Sequence, residues 1–480
     1  MLRYWLVLWV SFSFFSGANA QSINEIKNRA VYNKIEFFYN AQLYDSIYNL
    51  ASPQFKEQIS AAQLTSIFSQ LQSLGRIDEA TLELFQNNIA DYKLSLGEKS
   101  LSLQLSIDSS MHYTRLTLKP YVTKTIAKEE KQVPIISKSA KDKPLDFFID
   151  SIAQDFVRQK HAQSLAIGIL HRNQSNSYFF GSLEKGIDTL ADENTIFEIA
   201  SLTKIFTATL LADLVDRQII SLEDSISKFL PDSVAANPAI QKITFKTLAN
   251  HTSGLPRLPA NLASAPGYKA NDPYAHYDQK ALFSFLKDFV QIREPEAEYE
   301  YSNVGYGLLG ELIAIITKKT FQKSLEDVIT GPLEMSNTIE KINPKVHSLI
   351  KVYNKDGEEV PQWSFQALAA TGAIKSSVKD LLSFAKTHFE MPETDLQKAM
   401  ALTRQFTFFN PPSTDIGLAW HMNMLEDGVI YYHHAGATYG SSSFIALAPD
   451  DKTAVVILSN SALDVSRIGI EILYRALITK

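Results

Sequence analysis

Apolar side chains recur at helical spacing through the first part of the chain, between residues 24 and about 75. The repeat is clearest in Ile35, Tyr39, Leu43 and Ile47, and again in Leu64, Phe68 and Leu71. From about residue 82 to residue 121 the pattern changes to strict alternation, with Leu101, Leu103, Leu105 and Ile107 separated by Ser102, Gln104 and Ser106. Helices followed by a meander of strands predict a small α+β domain over residues 21–123.

A polar, lysine-rich stretch follows this domain. Residues 124–143, KTIAKEEKQVPIISKSAKDK, predict an exposed linker. Residues 144–480 open with a helical pattern and the strand-like segments SLAIGILHR and NSYFFGSLE, and they close with YYHHAG, SSFIALAP, TAVVILSN and a last helix. Mostly helical patterns lie between, so the order predicts a sheet built from both ends of this unit, with a helical insertion. We expect residues 256–296 to form a long loop region over a cleft.

Composition narrows the class of protein. The 480 residues are 45% hydrophobic and 20% charged, which is typical of a globular chain with two or three domains. A net charge of −6, with no long run of either sign, argues against nucleic-acid binding, which needs a basic face. Because the chain has no cysteine, disulfides, thiolate metal sites, a cysteine nucleophile and a lipidated cysteine are excluded.

The first 20 residues, MLRYWLVLWVSFSFFSGANA, combine an early arginine, an apolar stretch and small residues at the end. This pattern predicts a cleaved export signal, with the mature chain starting near Gln21 in the periplasm or outside the cell. The alternative is a retained membrane anchor. The apolar stretch is shorter than the roughly 20 residues that span a bilayer, so we expect no transmembrane anchor after cleavage.

The first candidate for chemistry is Ser201-Leu202-Thr203-Lys204. If a helix begins near Ser201, the serine and the lysine share one face and the amine reaches the hydroxyl. The same S-x-x-K spacing occurs in four further pairs, which we expect to be solvated surface pairs: Ser182/Lys185, Ser225/Lys228, Ser376/Lys379 and Ser383/Lys386. Lys204 differs because it lies in an apolar helix with few charges, where a lysine is otherwise a poor choice.

Two more short motifs carry chemistry. Tyr301-Ser302-Asn303 stands at a polar-to-helical transition, where the phenol offers a proton carrier and the Asn303 amide offers both a donor and an acceptor. In His434-Ala435-Gly436, the glycine lets another backbone approach a strand, so the next amide, at Ala437, can point at a substrate oxygen. Taken alone, each has a structural alternative: a loop tyrosine with a helix-capping residue, and a structural histidine.

In this order and at these separations, the three motifs resemble the active-site motifs of the serine β-lactamase superfamily: S-x-x-K, Y-x-N, and K-T-G or H-x-G. The resemblance is to the branch of class C β-lactamases, D-alanyl-D-alanine carboxypeptidases, D-aminopeptidases and esterases. It extends to NHTSGLP at 250–256, ATGAIKS at 370–376 and GLAW at 417–420. It implies an α/β (α+β) fold over 144–480, with an antiparallel sheet flanked by helices and a large helical subdomain. The small N-terminal domain resembles the nuclear-transport-factor-like domains found ahead of some bacterial serine hydrolases.

Residue by residue, the resemblance implies that Ser201 is the nucleophile and that Lys204 is its base or proton relay. Tyr301 would carry the proton to the leaving group, and Asn303 would hold the substrate amide. The backbone N–H groups of Ser201 and Ala437 would form the oxyanion hole. No cofactor is implied, and no metal, because the ten histidines contain no cluster with ligand spacing.

His434 departs from the class C pattern, which has lysine at this position. An imidazole loses most of its charge near neutral pH, so we expect a weaker and pH-dependent attraction for a substrate carboxylate. H-x-G is more typical of the peptidase and esterase members. We therefore expect hydrolysis of a small peptide or ester, with cell-wall peptide among the candidates, ahead of β-lactam hydrolysis. A non-catalytic protein that binds cell-wall peptide or a partner is the alternative of another class, and the joint presence of Ser201, Lys204 and Tyr301 counts against it.

Overall fold

A computed structural model of the chain describes residues 23–86, 88–97, 99–121, 135–159, 161–172, 174–343, 350–410, 414–425 and 428–479. The predicted export signal, residues 1–20, lies outside the described residues, as does most of the predicted linker. The chain divides into two compact units, Met1–Val133 and Pro134–Lys480. None of the helices in the described ranges has the length and apolar character that a bilayer crossing requires.

The first unit consists of four helices followed by a four-stranded antiparallel meander. The helices are α1 (Ile23–Asn40), α2 (Tyr44–Asn49), α3 (Pro53–Gln58) and α4 (Ala61–Gln72). The strands, in spatial order, are β1 (Glu79–Gln86), β2 (Ile89–Leu96), β3 (Lys99–Ile107) and β4 (Tyr113–Pro120). Alternate residues of β2 and β3 are buried with the apolar faces of α1 and α4, as the alternating sequence predicts. The likeness of this unit to nuclear-transport-factor-like domains stays a prediction.

The second unit is built on an eight-stranded antiparallel sheet. Its strands and those of two small pairs are β5 (Ser137–Lys138), β6 (Leu165–His171), β7 (Gln174–Phe180), β8 (Phe197–Glu198), β9 (Val352–Tyr353), β10 (Glu359–Val360), β11 (Lys375–Ser376), β12 (Asp415–Ile416), β13 (His421–Met424), β14 (Ile430–Ala437), β15 (Ser442–Ala448) and β16 (Thr453–Ser459). The large sheet has the order β12-β13-β14-β15-β16-β6-β7-β5. Strand β6 pairs with β16, with Ile167 opposite Ile457, so both ends of the unit meet at the centre of the sheet.

Helices of the second unit lie on both faces of this sheet and in the segments between its strands. They are α5 (Pro144–Val157), α6 (Thr203–Asp216), α7 (Asp232–Ala235), α8 (Pro238–Gln241), α9 (Phe245–Ala249), α10 (Gln279–Lys287), α11 (Asn303–Thr317), α12 (Phe321–Leu325), α13 (Ala369–Gly372), α14 (Val378–Thr387), α15 (Asp395–Thr403) and α16 (Ser466–Ile478). Helices α5 and α16 pack on one face, and α14 packs on the other. Strands β15 and β16 are buried at every position, because both of their faces are covered.

Helix α6 is the centre of the larger hydrophobic cluster. Every residue from Thr203 to Leu214 is buried, which fits a mostly apolar sequence with few charges. The fold therefore confirms the predicted antiparallel sheet flanked by many helices. Two segments differ from expectation: residues 137–138 of the predicted linker form edge strand β5 against β7, and the region 256–296 contains helix α10 rather than being loop throughout.

Candidate active site

Ser201 lies in a tight turn at the start of helix α6. A 3₁₀ turn, Ala200–Leu202, connects β8 to the helix, so Ser201 precedes the first α-helical residue by two positions. Ala200 has φ +47, a left-handed conformation that costs a residue with a Cβ about 1–2 kcal/mol. The turn is held from outside by a hydrogen bond from the Ile199 N–H to the Ile374 carbonyl, 3.2 Å. A strained turn thus presents the Ser201 hydroxyl at the start of a helix that is buried from Thr203 to Leu214.

The Lys204 amine contacts the Ser201 hydroxyl. Its Nζ lies 3.3 Å from Ser201 Oγ and donates to the Thr371 carbonyl oxygen at 2.8 Å. The Lys204 side chain has 0% exposure. Burial lowers its pKa well below the usual 10.5, and the positive charge of Arg257 lowers it further. An amine in this setting is neutral at a pH where a surface lysine is charged, so it can accept a proton from a hydroxyl.

The other four S-x-x-K pairs provide the contrast. The lysine is exposed in every one of them: Lys185, Lys228, Lys379 and Lys386. One serine is not at the surface as expected, because Ser376 is fully buried on β11 and its Oγ lies 2.7 Å from Thr338 Oγ1. Burial of the lysine, and not the spacing alone, separates Lys204 from these pairs.

Tyr301 lies beside both residues, just before helix α11. The Lys204 Nζ is 4.8 Å from the centroid of the Tyr301 ring. Burial raises the pKa of Tyr301, and a hydrogen bond with Ser201 opposes that shift. The phenol is therefore protonated at rest, and it can donate or accept a proton between Ser201 and a leaving group.

Asn303 is the first residue of α11, and its backbone is fixed on both sides. Its N–H donates to the Arg257 carbonyl at 3.0 Å, and its carbonyl accepts from Thr371 Oγ1 at 3.0 Å. Its Nδ2 lies 3.4 Å from the Tyr274 hydroxyl. Within the described part of the chain, the buried Oδ1 has no hydrogen-bond partner. This acceptor is available to a substrate N–H.

Gly436 brings strand β14 against the Ser201 turn. A Cβ at this position would lie 2.5 Å from the Ile199 carbonyl oxygen, 2.5 Å from Ser443 Oγ and 2.9 Å from the Ser201 nitrogen. Only glycine permits this approach. The next residue, Ala437, ends the strand and is exposed. Two backbone segments therefore meet where an oxyanion hole needs its two N–H donors.

Glu198, which the motifs did not reveal, ties these two segments together. It lies on β8, three residues before Ser201, and it is buried. Its carboxylate accepts from Thr438 Oγ1 at 2.9 Å and from Ser441 Oγ at 3.0 Å, both just beyond the end of β14. Burial raises its pKa, and the nearby Lys375 opposes that shift. The sequence did contain a sign of this role, because Glu198 is a charged residue among apolar neighbours, and such a residue is rarely buried without partners.

His434 is more buried than its motif suggested. The ring is 1% exposed, and its Nδ1 lies 2.9 Å from the Ala435 carbonyl oxygen, so Nδ1 carries the hydrogen. Burial lowers the pKa of His434 well below 6.5, and the neighbouring His421 lowers it further. The titration of His434, expected near neutral pH from the sequence, is therefore shifted to more acidic pH, and the imidazole is uncharged at neutral pH.

His251, from the NHTSGLP segment, is a second buried imidazole that sequence reasoning left without a role. Its Nδ1 accepts from the Ser302 N–H at 3.1 Å, and its ring lies 4.4 Å from that of Tyr301. Burial lowers its pKa well below 6.5, and the proximity of Lys204 adds to the shift. His251 thus fixes the backbone beside Tyr301 as a neutral ring. Among the described residues, no group of three or more His, Asp or Glu side chains could hold a metal ion.

Comparison with known proteins identifies the family of the second unit. Residues 149–477 match the family model "Beta-lactamase". A beta-lactamase of Psychrobacter immobilis is 24% identical over 344 residues, covering 65% of this chain and 82% of that protein. Penicillin-binding protein 4 of Amycolatopsis lactamdurans is 24% identical over 327 residues, covering 64% and 83%.

Solved structures agree in fold. A beta-lactamase/D-alanine carboxypeptidase from Pseudomonas syringae has a TM-score of 0.62 at 20% identity, covering 70% of this chain and 99% of that one. A D-alanine carboxypeptidase from Burkholderia cenocepacia has a TM-score of 0.61 at 22% identity, covering 69% and 98%. Since the family model spans well over half of the chain, the protein belongs to the beta-lactamase family of serine hydrolases.

Proposed function

We propose that this protein is an exported hydrolase that cleaves a small peptide or ester through an acyl-enzyme on Ser201. The observation that carries the proposal is the buried Lys204 amine, 3.3 Å from the Ser201 hydroxyl and held by the Thr371 carbonyl. A neutral amine at this distance is a general base that needs no further partner. Export rests on the predicted signal in residues 1–20, and N-terminal sequencing of the secreted or periplasmic protein tests it.

The contacts support a two-step reaction. Ser201 Oγ attacks the acyl carbon while its proton passes to the Lys204 amine, and the Ser201 and Ala437 N–H groups stabilise the negative carbonyl oxygen. The tetrahedral intermediate then collapses, and the proton returns from Lys204 through the Tyr301 phenol to the departing amine or alkoxide. In the second step water attacks the acyl-enzyme ester and gives a proton to the same pair. The pair then passes that proton to Ser201 Oγ as the bond to the acyl carbon breaks, which releases the acid and restores the serine.

The neutral state of His434 removes an advantage that a β-lactam would otherwise have over an uncharged peptide or ester. Where class C enzymes have a lysine, this site has a buried imidazole whose pKa is depressed by burial. It offers no positive charge to the carboxylate that β-lactam antibiotics carry. β-Lactam hydrolysis is the second candidate, because relatives such as the Psychrobacter immobilis protein are named beta-lactamases. Cell-wall peptide is a candidate substrate under either reading.

Covalent labelling tests whether Ser201 is a nucleophile at all. We expect a fluorophosphonate probe and a fluorescent penicillin to label the wild type and to leave Ser201→Ala unlabelled. Lys204→Ala should label at least about 10²-fold more slowly, because the general base is lost. Lys386→Ala is the matched control, since Ser383 and Lys386 have the same spacing but the lysine is exposed. Absence of any adduct on the folded wild type would favour a protein that binds ligand without turnover.

A substrate panel then tests the class. Purified protein is assayed on nitrocefin, a D-alanyl-D-alanine peptide and a short 4-nitrophenyl ester, with Ser201→Ala as the blank. We expect Ser201-dependent turnover of the peptide or the ester to exceed that of the lactam. Fast turnover of nitrocefin alone would reverse this order and make β-lactam hydrolysis the function.

A further inference from the structure

Arg257 is an exposed cation that directly contacts the proposed catalytic tyrosine. It follows Pro256 at the end of the NHTSGLP segment, and its guanidinium carbon lies 5.0 Å from the centroid of the Tyr301 ring. The aromatic face orients the guanidinium and leaves its N–H groups open to solvent. Its charge lowers the pKa of Lys204, of His251 and of Tyr301, which places it within electrostatic reach of the reacting groups.

The backbone that carries Arg257 is fixed. Its carbonyl accepts from the Asn303 N–H at 3.0 Å, and the carbonyl of Pro256 accepts from Ser302 Oγ at 2.8 Å. These two hydrogen bonds join the loop to the first turn of α11. The backbone of Arg257 is therefore held beside Asn303, the residue proposed to hold the amide of the substrate, while its guanidinium lies over the Tyr301 ring.

Within the described ranges no carboxylate forms an ion pair with Arg257, so its charge is available to a ligand. Four of the eight arginines of the second unit do pair with an acid: Arg158, Arg217, Arg293 and Arg467. Burial depresses the pKa of the other basic groups around Tyr301, which are Lys204, His251 and His434, so each carries less positive charge than an exposed side chain of its kind. An arginine keeps its charge and suits bidentate binding of a carboxylate.

We infer that Arg257 is an anion-binding subsite, and that the preferred substrate is an ester or amide whose acyl portion carries a carboxylate. The inference rests on the proposed hydrolytic function and specifies its substrate class. The cation lies over the Tyr301 ring on a loop whose backbone is hydrogen-bonded to Asn303, while the imidazole at His434 is neutral. The site therefore attracts negative charge through the acyl portion and gains little from a charged leaving group.

A pair of esters that differ only in charge tests this subsite. The 4-nitrophenyl monoester of adipic acid carries a free carboxylate, and its methyl ester has the same chain without the charge. For the wild type we expect kcat/KM to be about tenfold higher for the carboxylate ester than for the methyl ester. This preference should fall as salt is added, because the guanidinium is exposed and its charge is screened. The measured quantity is the ratio of kcat/KM for the two esters within each variant, which is independent of any general loss of activity. Arg257→Gln should bring this ratio to about one, while Arg257→Lys keeps part of the preference.

Controls separate this subsite from general effects. Lys287→Gln removes one exposed positive charge from the same region and should keep the tenfold preference. If Arg257→Gln slows both esters equally, or if the preference survives it, Arg257 only supports Tyr301 and the inference is wrong. If neither ester shows Ser201-dependent turnover, the proposed function fails. The subsite is then tested by binding alone. The dissociation constants of the two matching anilides are measured on Ser201→Ala and on the double variant Ser201→Ala/Arg257→Gln. Loss of Arg257 should weaken binding of the carboxylate anilide and leave binding of its methyl ester unchanged.

Discussion

Replacing Gly436 by alanine inserts one methyl group between the Ser201 turn and strand β14. The new Cβ would lie 2.5 Å from the Ile199 carbonyl oxygen and 2.9 Å from the Ser201 nitrogen, whereas ordinary contacts begin at 3.4 Å. The two backbones must therefore separate by about 1 Å. A displacement of that size, or the loss of one oxyanion donor, lowers a rate about 10²- to 10³-fold, which corresponds to about 3–4 kcal/mol of transition-state stabilisation.

The assay is the second-order rate of Ser201 labelling by a fluorophosphonate, measured with kcat for a neutral 4-nitrophenyl ester. We expect Gly436→Ala to reduce both rates by this factor. The unfolding free energy should fall by only about 1–3 kcal/mol, the usual cost of overpacking. The folded variant should therefore persist as a slow enzyme, as circular dichroism and urea unfolding can establish.

Gly186→Ala is the matched control. A Cβ at Gly186 meets nothing within 4 Å, but the residue has φ +78, so the substitution costs about 1 kcal/mol of stability without touching the site. Its labelling rate should equal that of the wild type. If Gly436→Ala also labels at the wild-type rate, the close contact between β14 and the Ser201 turn does not set the oxyanion geometry, and the reasoning is refuted.

Three further predictions concern the groups around Ser201. Glu198→Gln should lower kcat about tenfold with little change in KM, since the carboxylate aligns the Ser201 turn with the end of β14 through Thr438 and Ser441. Glu340→Gln, which also replaces a buried glutamate, is the control, and equal losses of kcat in both variants would contradict this. The rate of Ser201 labelling should rise tenfold per pH unit and level off well below pH 10.5, because Lys204 acts only when neutral and its folded pKa is depressed; a rise that continues to pH 10.5 would exclude Lys204 as the base. Lys204→Met should be inactive but more stable than the wild type in urea at pH 7, and the difference in unfolding free energy should narrow towards pH 10.5. Between the folded and unfolded pKa values of Lys204, the unfolded state of the wild type binds one proton more than the folded state, so the stability of the wild type rises with pH. Equal pH slopes for the two proteins would contradict this.

The parts of the fold that local pattern predicted are those with a regular period. Alternation in β2 and β3 marked a sheet with one covered face, and the apolar residues around Lys204 marked a buried helix. Strands β15 and β16 show no alternation of burial because both of their faces are covered, and their short apolar runs, SSFIALAP and TAVVILSN, predicted them instead. In the region 256–296, turn residues and polar positions concealed helix α10.

For the site, the motifs located Ser201, Lys204 and Tyr301, which the structure brings together. They did not reveal which distant groups complete the site. The Glu198 carboxylate meets Ser441 243 positions later, and the Lys204 amine meets the Thr371 carbonyl 167 positions later. A single sequence has no periodicity at such separations. Arg257 was missed for a related reason. The residues before it were identified as a motif, but nothing in the sequence shows that its guanidinium lies over the ring of Tyr301.

The pairing of β6 with β16 at the centre of the sheet determines when the active site can form during translation. Strand β6 has β16 as its inner neighbour, and His171 meets Thr453 across 282 positions of chain. At about 5–20 residues per second, a ribosome needs roughly 15–60 s between making these two strands. Until β14, β15 and β16 are synthesised, the Ser201 turn has no partner strand and cannot hydrolyse anything. A nascent chain is thus catalytically silent during most of its own translation.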